Sequence, residues 1–242
     1  SKVKLSDFAS PISDDASLGT FLSNLPDVLA VQSLRQLTAR IHRARELKKP
    51  IIWGIGGHVI KTGLAPLLID LVKRGFVSGF ASNGSVLVHD SEIAMIGSTA
   101  EDVKATLSEG VFGGAEETGQ LLNSAALDGA RDQIGLGEAV GRALLARTPP
   151  HRDYSLLCNA YDLKIPFTAH VTIGGDIAHF HPKADGASLG ATTHTDFRLL
   201  AALAVNRDVH LWLSHPSPAL WSSLSTADGV LARADDHTAL SV

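Results

Sequence analysis

Residues 51–84 constrain the fold of this chain more tightly than any other stretch. Ile51-Ile52-Trp53-Gly54-Ile55 is a short apolar run that stops at Gly56-Gly57. An apolar run of this length bounded by glycine reads as a strand buried on both faces. Ile60, Leu64, Leu67, Leu68 and Leu71 then line one helical stripe, and Gly75 ends it. A second strand, over about 76–81, ends at Ser82-Asn83-Gly84-Ser85. Strand, glycine turn, helix and strand make a βαβ unit, whose crossover requires parallel pairing. The expected fold class is therefore α/β, a parallel sheet with helices on its faces.

The rest of the chain continues the alternation. The first 15 residues are polar and read as a surface arm. Asp14-Asp15-Ala16-Ser17 suits the opening of a short helix, and Pro26 the first turn of the next. Leu34, Leu37 and Ile41 place an amphipathic helix over 28–47. Further helices are expected over 101–109, 115–127, 136–147, 153–163 and 196–205, with strands over 165–171 and 209–213. No repeat or long linker interrupts this pattern. Residues 1–242 read as a single domain, with a helical arm (1–50), a core (51–205) and a C-terminal segment (206–242).

Composition excludes several classes of function. With 242 residues, 45% hydrophobic and 19% charged, the chain can bury a sizeable core. A net charge of −4 and the lack of a basic patch interleaved with aromatics argue against nucleic acid as a partner. Charge is uneven: residues 1–75 carry 11 Lys+Arg against 6 Asp+Glu, and the remainder 10 against 19. This reads either as a solvated basic helix face or as a docking surface for an acidic partner. No apolar run approaches the ~20 residues of a membrane helix. No apolar segment follows Ser1-Lys2-Val3-Lys4, so no secretory leader is expected. The one cysteine, Cys158, has no partner for an internal disulfide, and the expected location is cytoplasmic.

Candidate functional residues fall at the strand ends. A strand that feeds a helix through Gly56-Gly57 gathers free backbone N–H groups and a helix dipole, which suit an anionic group such as a pyrophosphate. The spacing is not GxGxxG, since Val59 stands where the third glycine belongs, so a bare turn is the competing reading. His58 and Lys61 flank this turn. Ser82, Asn83, Gly84 and Ser85 would share one crevice with it. His89-Asp90-Ser91-Glu92 follows, equally suited to acid/base work and to a helix first turn. In Glu116-Glu117-Thr118-Gly119, adjacent carboxylates cannot share a helix face; Glu117 is weighed for a buried site. The densest cluster is His170, Asp176, His179, His181 and Asp185, with His194 and Asp196 beyond. It suits a metal site, acid/base groups, or a loop packed on the sheet. No HExxH, CxxC or P-loop pattern occurs.

Several runs taken together resemble the deoxyhypusine synthase family, closest to its bacterial, functionally undefined branch. They are His58 to Pro66, Asn83-Gly84, His89 to Ala94, Glu116 to Gly119, and His181-Pro182-Lys183-Ala184-Asp185-Gly186-Ala187. The resemblance implies a Rossmann-like, open, mostly parallel sheet that binds NAD, in a homotetramer. It implies a nucleotide held by Gly56, Gly57 and His58 and by Ser82, Asn83, Gly84 and Ser85; Lys61, near the helix start, reads either as a cation beside that anion or as a solvated lysine. Two departures stand out. The synthase forms an imine through a late lysine, and no lysine follows Lys183 here. The segment from Val209 to Val242 lacks the glycine-rich strand that follows in the branch, and is expected to be an altered or frame-shifted C-terminus.

The leading expectation is an NAD-binding protein acting as transferase or oxidoreductase on a small amine-like substrate, without the lysine-imine mechanism. His170, His179, His181, Asp176 and Asp185 would face the substrate, one imidazole exchanging a proton near neutral pH. The alternatives are a metal-dependent hydrolase or lyase using the cluster at 170–196, and a non-catalytic binding protein.

Overall fold

A computed structural model describes residues 4–99 and 114–204 and the backbone of a strand at 209–213. The expected helix at 101–109 and most of the C-terminal segment lie outside these residues. The chain divides into two compact units, Ser1–Lys48 and Lys49–Val242. Among the described residues, no helix is long and apolar enough to cross a membrane.

The first unit is helical. Helix α1 (Leu18–Asn24) opens at Ser17, whose hydroxyl accepts the Thr20 N–H at 3.1 Å. Such a cap satisfies an N–H that has no partner within the helix. Helix α2 (Leu29–Glu46) starts later than Pro26 suggests, because the chain stays extended at Val28. Arg35 of α2 donates to the Ser23 and Leu25 carbonyls, each at 2.9 Å, where α1 ends.

The second unit holds the sheet. Strands β1 (Ile51–Ile55), β2 (Gly79–Asn83), β3 (Phe167–His170) and β4 (Val209–Leu213) lie in the order β3-β2-β1-β4. Every pair is parallel. The fold class is thus the α/β, Rossmann-like one, and the strand order is that of the first half of a doubly wound sheet. Residues of β1, β2 and β3 are buried throughout, as an apolar run covered on both faces requires. Two buried hydroxyls on the inner strands are satisfied by carbonyls: Ser82 donates to Thr168 at 3.0 Å and Thr168 to Phe80 at 3.1 Å.

The helix between β1 and β2 departs from the expected stripe. It breaks into α3 (Gly57–Lys61) and α4 (Ala65–Lys73), because Gly63 turns left-handed at φ +78°. The rotation exposes Leu64 and Leu67 of the expected stripe, leaves Leu68 buried, and buries Ala65, Ile69 and Val72 beside it. β2 begins three residues later than expected and takes in Ser82 and Asn83, since Gly75 (φ +77°) and the residues after it form a turn.

Among the described residues, five further α-helices surround the sheet: α5 (Gly84–Ile96), α6 (Glu116–Asp132), α7 (Leu136–Ala146), α8 (Leu156–Asp162) and α9 (Gly186–Ala204). α9 starts ten residues before the expected 196, because Asp185 caps it by accepting the Ser188 N–H at 2.8 Å. Two buried carboxylates fix helix starts to the core. Asp90 accepts the Ser155 hydroxyl at 2.6 Å and the Leu156 and Leu157 N–H groups at 2.8 and 2.9 Å, at the first turn of α8. Asp196 accepts the Gly137 N–H of α7 at 3.0 Å and the Ala169 N–H of β3 at 2.9 Å.

Burial raises the Asp196 pKa from the ordinary 3.8 to about 7, against the Gly137, Ala169 and Leu136 N–H groups that favour its charge. The folded state therefore keeps the proton to higher pH than the unfolded chain. The resulting stability is complete below pH 3.8 and is lost as pH rises through about 7. Asp196→Asn keeps an oxygen for these N–H groups and cannot ionise. It is expected to flatten the fall in thermal midpoint between about pH 5 and pH 8. A wild-type midpoint that falls no more than the variant's across this range would contradict the assignment.

α7 also packs with no tolerance on β3: a side chain on Gly137 would run into the Phe167 carbonyl. Gly137→Ala is expected to cost ~1–3 kcal/mol or more in chemical denaturation. An unchanged denaturation midpoint would show that the contact is looser than described.

Candidate functional site

β1 and β2 end at the same level, with Ile55 paired to Ser82. The turns that follow are therefore adjacent. Gly56 precedes α3 and Gly57 opens it; Asn83 caps α5 by accepting the Val86 N–H at 3.3 Å. α3 and α5 approach each other at Gly57, where an added Cβ would lie 2.6 Å from Ser85 Cβ and 3.2 Å from His89 Cδ2. A side chain here would separate the two helix starts, so glycine is required by packing.

A crevice opens beside these turns. One cavity of about 210 Å³ is lined by Lys61, Ser85, His89, Glu92, Gly175 and Asp176. A neighbouring cavity of about 230 Å³ adds Glu116, Thr118, Gly119, Phe180 and His181. Val88, Glu92 and Ile177 line both. Glu92 stands between the two: one oxygen accepts the Thr118 hydroxyl at 3.4 Å and the other lies 3.6 Å from His89 Nδ1.

His181 is the best-positioned imidazole. It is buried, and its Nδ1 accepts the Lys183 N–H at 3.1 Å. In the neutral ring Nε2 must then carry the proton, and it lies 3.1 Å from a Glu116 oxygen. Gly119 makes room for the ring, since an added Cβ would lie 2.6 Å from His181 Cδ2. Asn123 donates to the Gly119 and Ala178 carbonyls, both at 2.8 Å, and so joins α6 to the turn before His181.

The other expected residues disperse. His170 is buried at the end of β3 with its Nε2 3.0 Å from the Thr168 hydroxyl. Burial lowers its pKa to about 4, which keeps the ring neutral near pH 7. His179 Nδ1 accepts the Gly174 N–H at 3.2 Å. Asp185 caps α9, and the hydrogen bonds from Ser188 hold its carboxyl below the usual range. Asp176 reaches the first cavity, where burial raises its carboxyl. Ser82 spends its hydroxyl within the sheet, and His58 is exposed on α3 outside both cavities. Of the paired glutamates, Glu116 rather than Glu117 lines the site. Among the described residues, no three His, Cys, Asp or Glu side chains converge to hold a metal ion, so the metal-dependent alternative lacks a ligand set.

His89 and Glu92 were legible as a pattern. Ser85, His89 and Glu92 recur at i, i+4 and i+7 after the second turn, which places all three on one helix face toward the strand ends. Asp90, between them, turns to the core.

No family model matches the chain. Among curated proteins it is similar to the RecC subunit of the RecBCD enzyme of Mycolicibacterium smegmatis, 33% identical over 113 residues, 45% of this chain and 9% of RecC. A stretch of 45 residues is 56% identical to RecC of Mycobacterium tuberculosis, 17% of this chain and 4% of RecC. The chain spans less than a tenth of the curated relatives it matches. Among solved structures it is similar to unliganded AgrE, with TM-score 0.54 and 15% identity over 81% of this chain and 25% of AgrE. It is similar to ArgZ, a cyanobacterial arginine dihydrolase, with TM-score 0.53 and 18% identity over 81% of this chain and 25% of ArgZ. A LOR/SDH protein of Methanococcus maripaludis gives TM-score 0.51 and 16% identity over 83% of this chain and 55% of its own. These likenesses show the fold. It is shared across several families, so it does not single out the deoxyhypusine synthases.

The His181 geometry sets a spectroscopic expectation. Nitrogen-15 NMR of the neutral protein should show the Nε2–H tautomer at His181. Gly119→Ala should displace the ring, with a changed His181 spectrum and a loss of ~1–3 kcal/mol in stability. An Nδ1–H tautomer in the wild type would refute the hydrogen bond from Lys183.

Proposed function

We propose that the strand-end crevice binds an NAD-type nucleotide and, beside it, a small amine-like substrate, as a transferase or oxidoreductase. The observation that carries this reading is the juxtaposition of the β1–α3 and β2–α5 turns, with Gly57 against Ser85. In open parallel sheets ligands lie outside the carboxyl ends of the strands, the end at which both turns stand.

The first turn would offer the nucleotide the backbone of Gly56 and Gly57, which stand beside the crevice without lining either cavity, while Lys61 supplies a cation to the cavity that Gly84 and Ser85 line. His58 would contribute from the rim. In the second turn Asn83 is committed to its cap, and Ser85 faces the cavity. The nicotinamide, when bound, would supply the hydride acceptor or donor. The chain's own residues then bind and orient the substrate. Glu92, Glu116 and Asp176 make an acidic lining suited to an ammonium group. His181, held by the Lys183 N–H and facing Glu116, would donate a proton from Nε2. No residue takes the part of the synthase's imine-forming lysine. The same reading carries a homo-oligomer, tetrameric by the resemblance.

Calorimetry with NAD and NADP tests the reading. Saturable binding is expected, and Gly57→Ala should weaken it at least tenfold by pushing Ser85 and His89 apart. The absence of heat with either nucleotide would end the nucleotide reading. Binding without turnover of any amine would favour a binding protein.

A further inference from the structure

His89 lines the crevice but takes no part in the proton transfer given to His181. Its ring is fixed on two edges. Cδ2 faces Gly57, where an added Cβ would lie 3.2 Å away, and Nδ1 on the other edge lies 3.6 Å from a Glu92 oxygen. Nδ1 is closed off from solvent and has no hydrogen-bond partner among the described residues, so the Glu92 carboxylate is the charge it meets. Glu92 is itself buried, and its other oxygen accepts the Thr118 hydroxyl at 3.4 Å.

These surroundings decide which ring nitrogen carries hydrogen. A bare lone pair on Nδ1 would oppose the lone pairs of the carboxylate, whereas an Nδ1–H turns its positive end toward them. Nδ1 therefore holds hydrogen in the neutral ring and in the imidazolium alike, and Nε2 is the atom that gains and loses a proton. With Nδ1 toward Glu92 and Cδ2 toward Gly57, the tip of the ring is left to face the cavity that His89 lines with Lys61 and Asp176. His181 is the opposite case: the Lys183 N–H occupies its Nδ1, and Nε2 carries the hydrogen beside the neighbouring cavity. The two imidazoles thus offer an acceptor and a donor on either side of Glu92, which lines both cavities.

We propose that His89 is the proton acceptor of the crevice, with Glu92 as the positioning residue that keeps its hydrogen on Nδ1 and leaves Nε2 to take a proton from a bound amine. The inference rests on the crevice being the ligand site and does not require the nucleotide. In the step, one N–H bond of the ligand's ammonium breaks, the electron pair stays on the ligand nitrogen, and a new N–H bond forms at His89 Nε2. Nothing is oxidised or reduced. Glu92 faces the charge that the ring gains.

Nitrogen-15 NMR and carbethoxylation by diethyl pyrocarbonate, read residue by residue by mass spectrometry, test the assignment on the full chain. Neutral His89 is expected as the Nδ1–H tautomer, the reverse of His181. The reagent attacks a ring nitrogen that bears a free lone pair, so His89 should react roughly tenfold or more faster than His181, whose lone pair receives the Lys183 N–H. Titration with n-butylamine, as the probe amine, should shift the His89 Nε2 resonance far more than Nδ1. Glu92→Ala, checked for an intact fold by circular dichroism, should return His89 to the Nε2–H tautomer, a change that lost packing alone does not produce. An Nε2–H tautomer at His89 in the wild type would overturn the proposal without any variant. So would equal reactivity of His89 and His181, or an Nε2 resonance that n-butylamine leaves in place. An Nδ1–H tautomer that persists in the folded variant would remove Glu92 from its role. Calorimetry that finds no NAD binding, with His89 still Nδ1–H and responsive to the amine, would end the nucleotide reading and leave this one standing.

Discussion

Parallel pairing of β1 with β2 is the constraint on which the rest of the second unit depends. Its register sets Ile55 level with Ser82, so both strands deliver their turns to one edge of the sheet. Parallel strands force crossover helices, and those helices must begin at that edge. α3 and α5 accordingly start side by side, and the only residue that lets them approach so closely is one without a side chain, Gly57. The crevice is a consequence of this geometry rather than an addition to it.

Buried carboxylates secure the layers around the sheet. Asp90 holds the start of α8 against α5, and Asp196 holds the start of α7 against β3. Each accepts N–H groups at a helix start that the helix cannot satisfy by itself. A third carboxylate, Asp176, is only half-buried and accepts the Thr172 N–H within its own turn. The difference is accessibility. Asp90 and Asp196 are fully enclosed, whereas Asp176 borders the cavity. The same chemical device is structural in two places and adjoins the proposed ligand site in the third.

Much of the architecture was legible from periodicity. The β1 run, the glycine turns and the span of α2 lie where their patterns place them, although Leu34 of the α2 stripe is exposed. The stripe through Leu64 and Leu67 misled, because a single left-handed glycine at 63 rotates the following helix and no periodicity records that rotation. The histidine cluster also misled. His170, His179, His181 and Asp185 are near in sequence, yet a strand, a turn and a helix cap send them to different environments. Only His181 joins the larger, two-part crevice, and it does so through Glu116, from a helix 65 residues earlier.

By itself the sequence determined the α/β class, the two glycine turns and the segment from which the crevice draws its imidazole. Those follow from local rules: burial period, backbone freedom and helix termination. Tertiary structure alone decided which polar residues face the crevice and which are consumed by the fold. Asp90 and Glu92 are two residues apart on one helix, and one caps α8 while the other joins the two cavities. The reason is physical: a buried carboxylate goes to whichever unsatisfied N–H groups packing brings to it, and packing is set by the whole sheet.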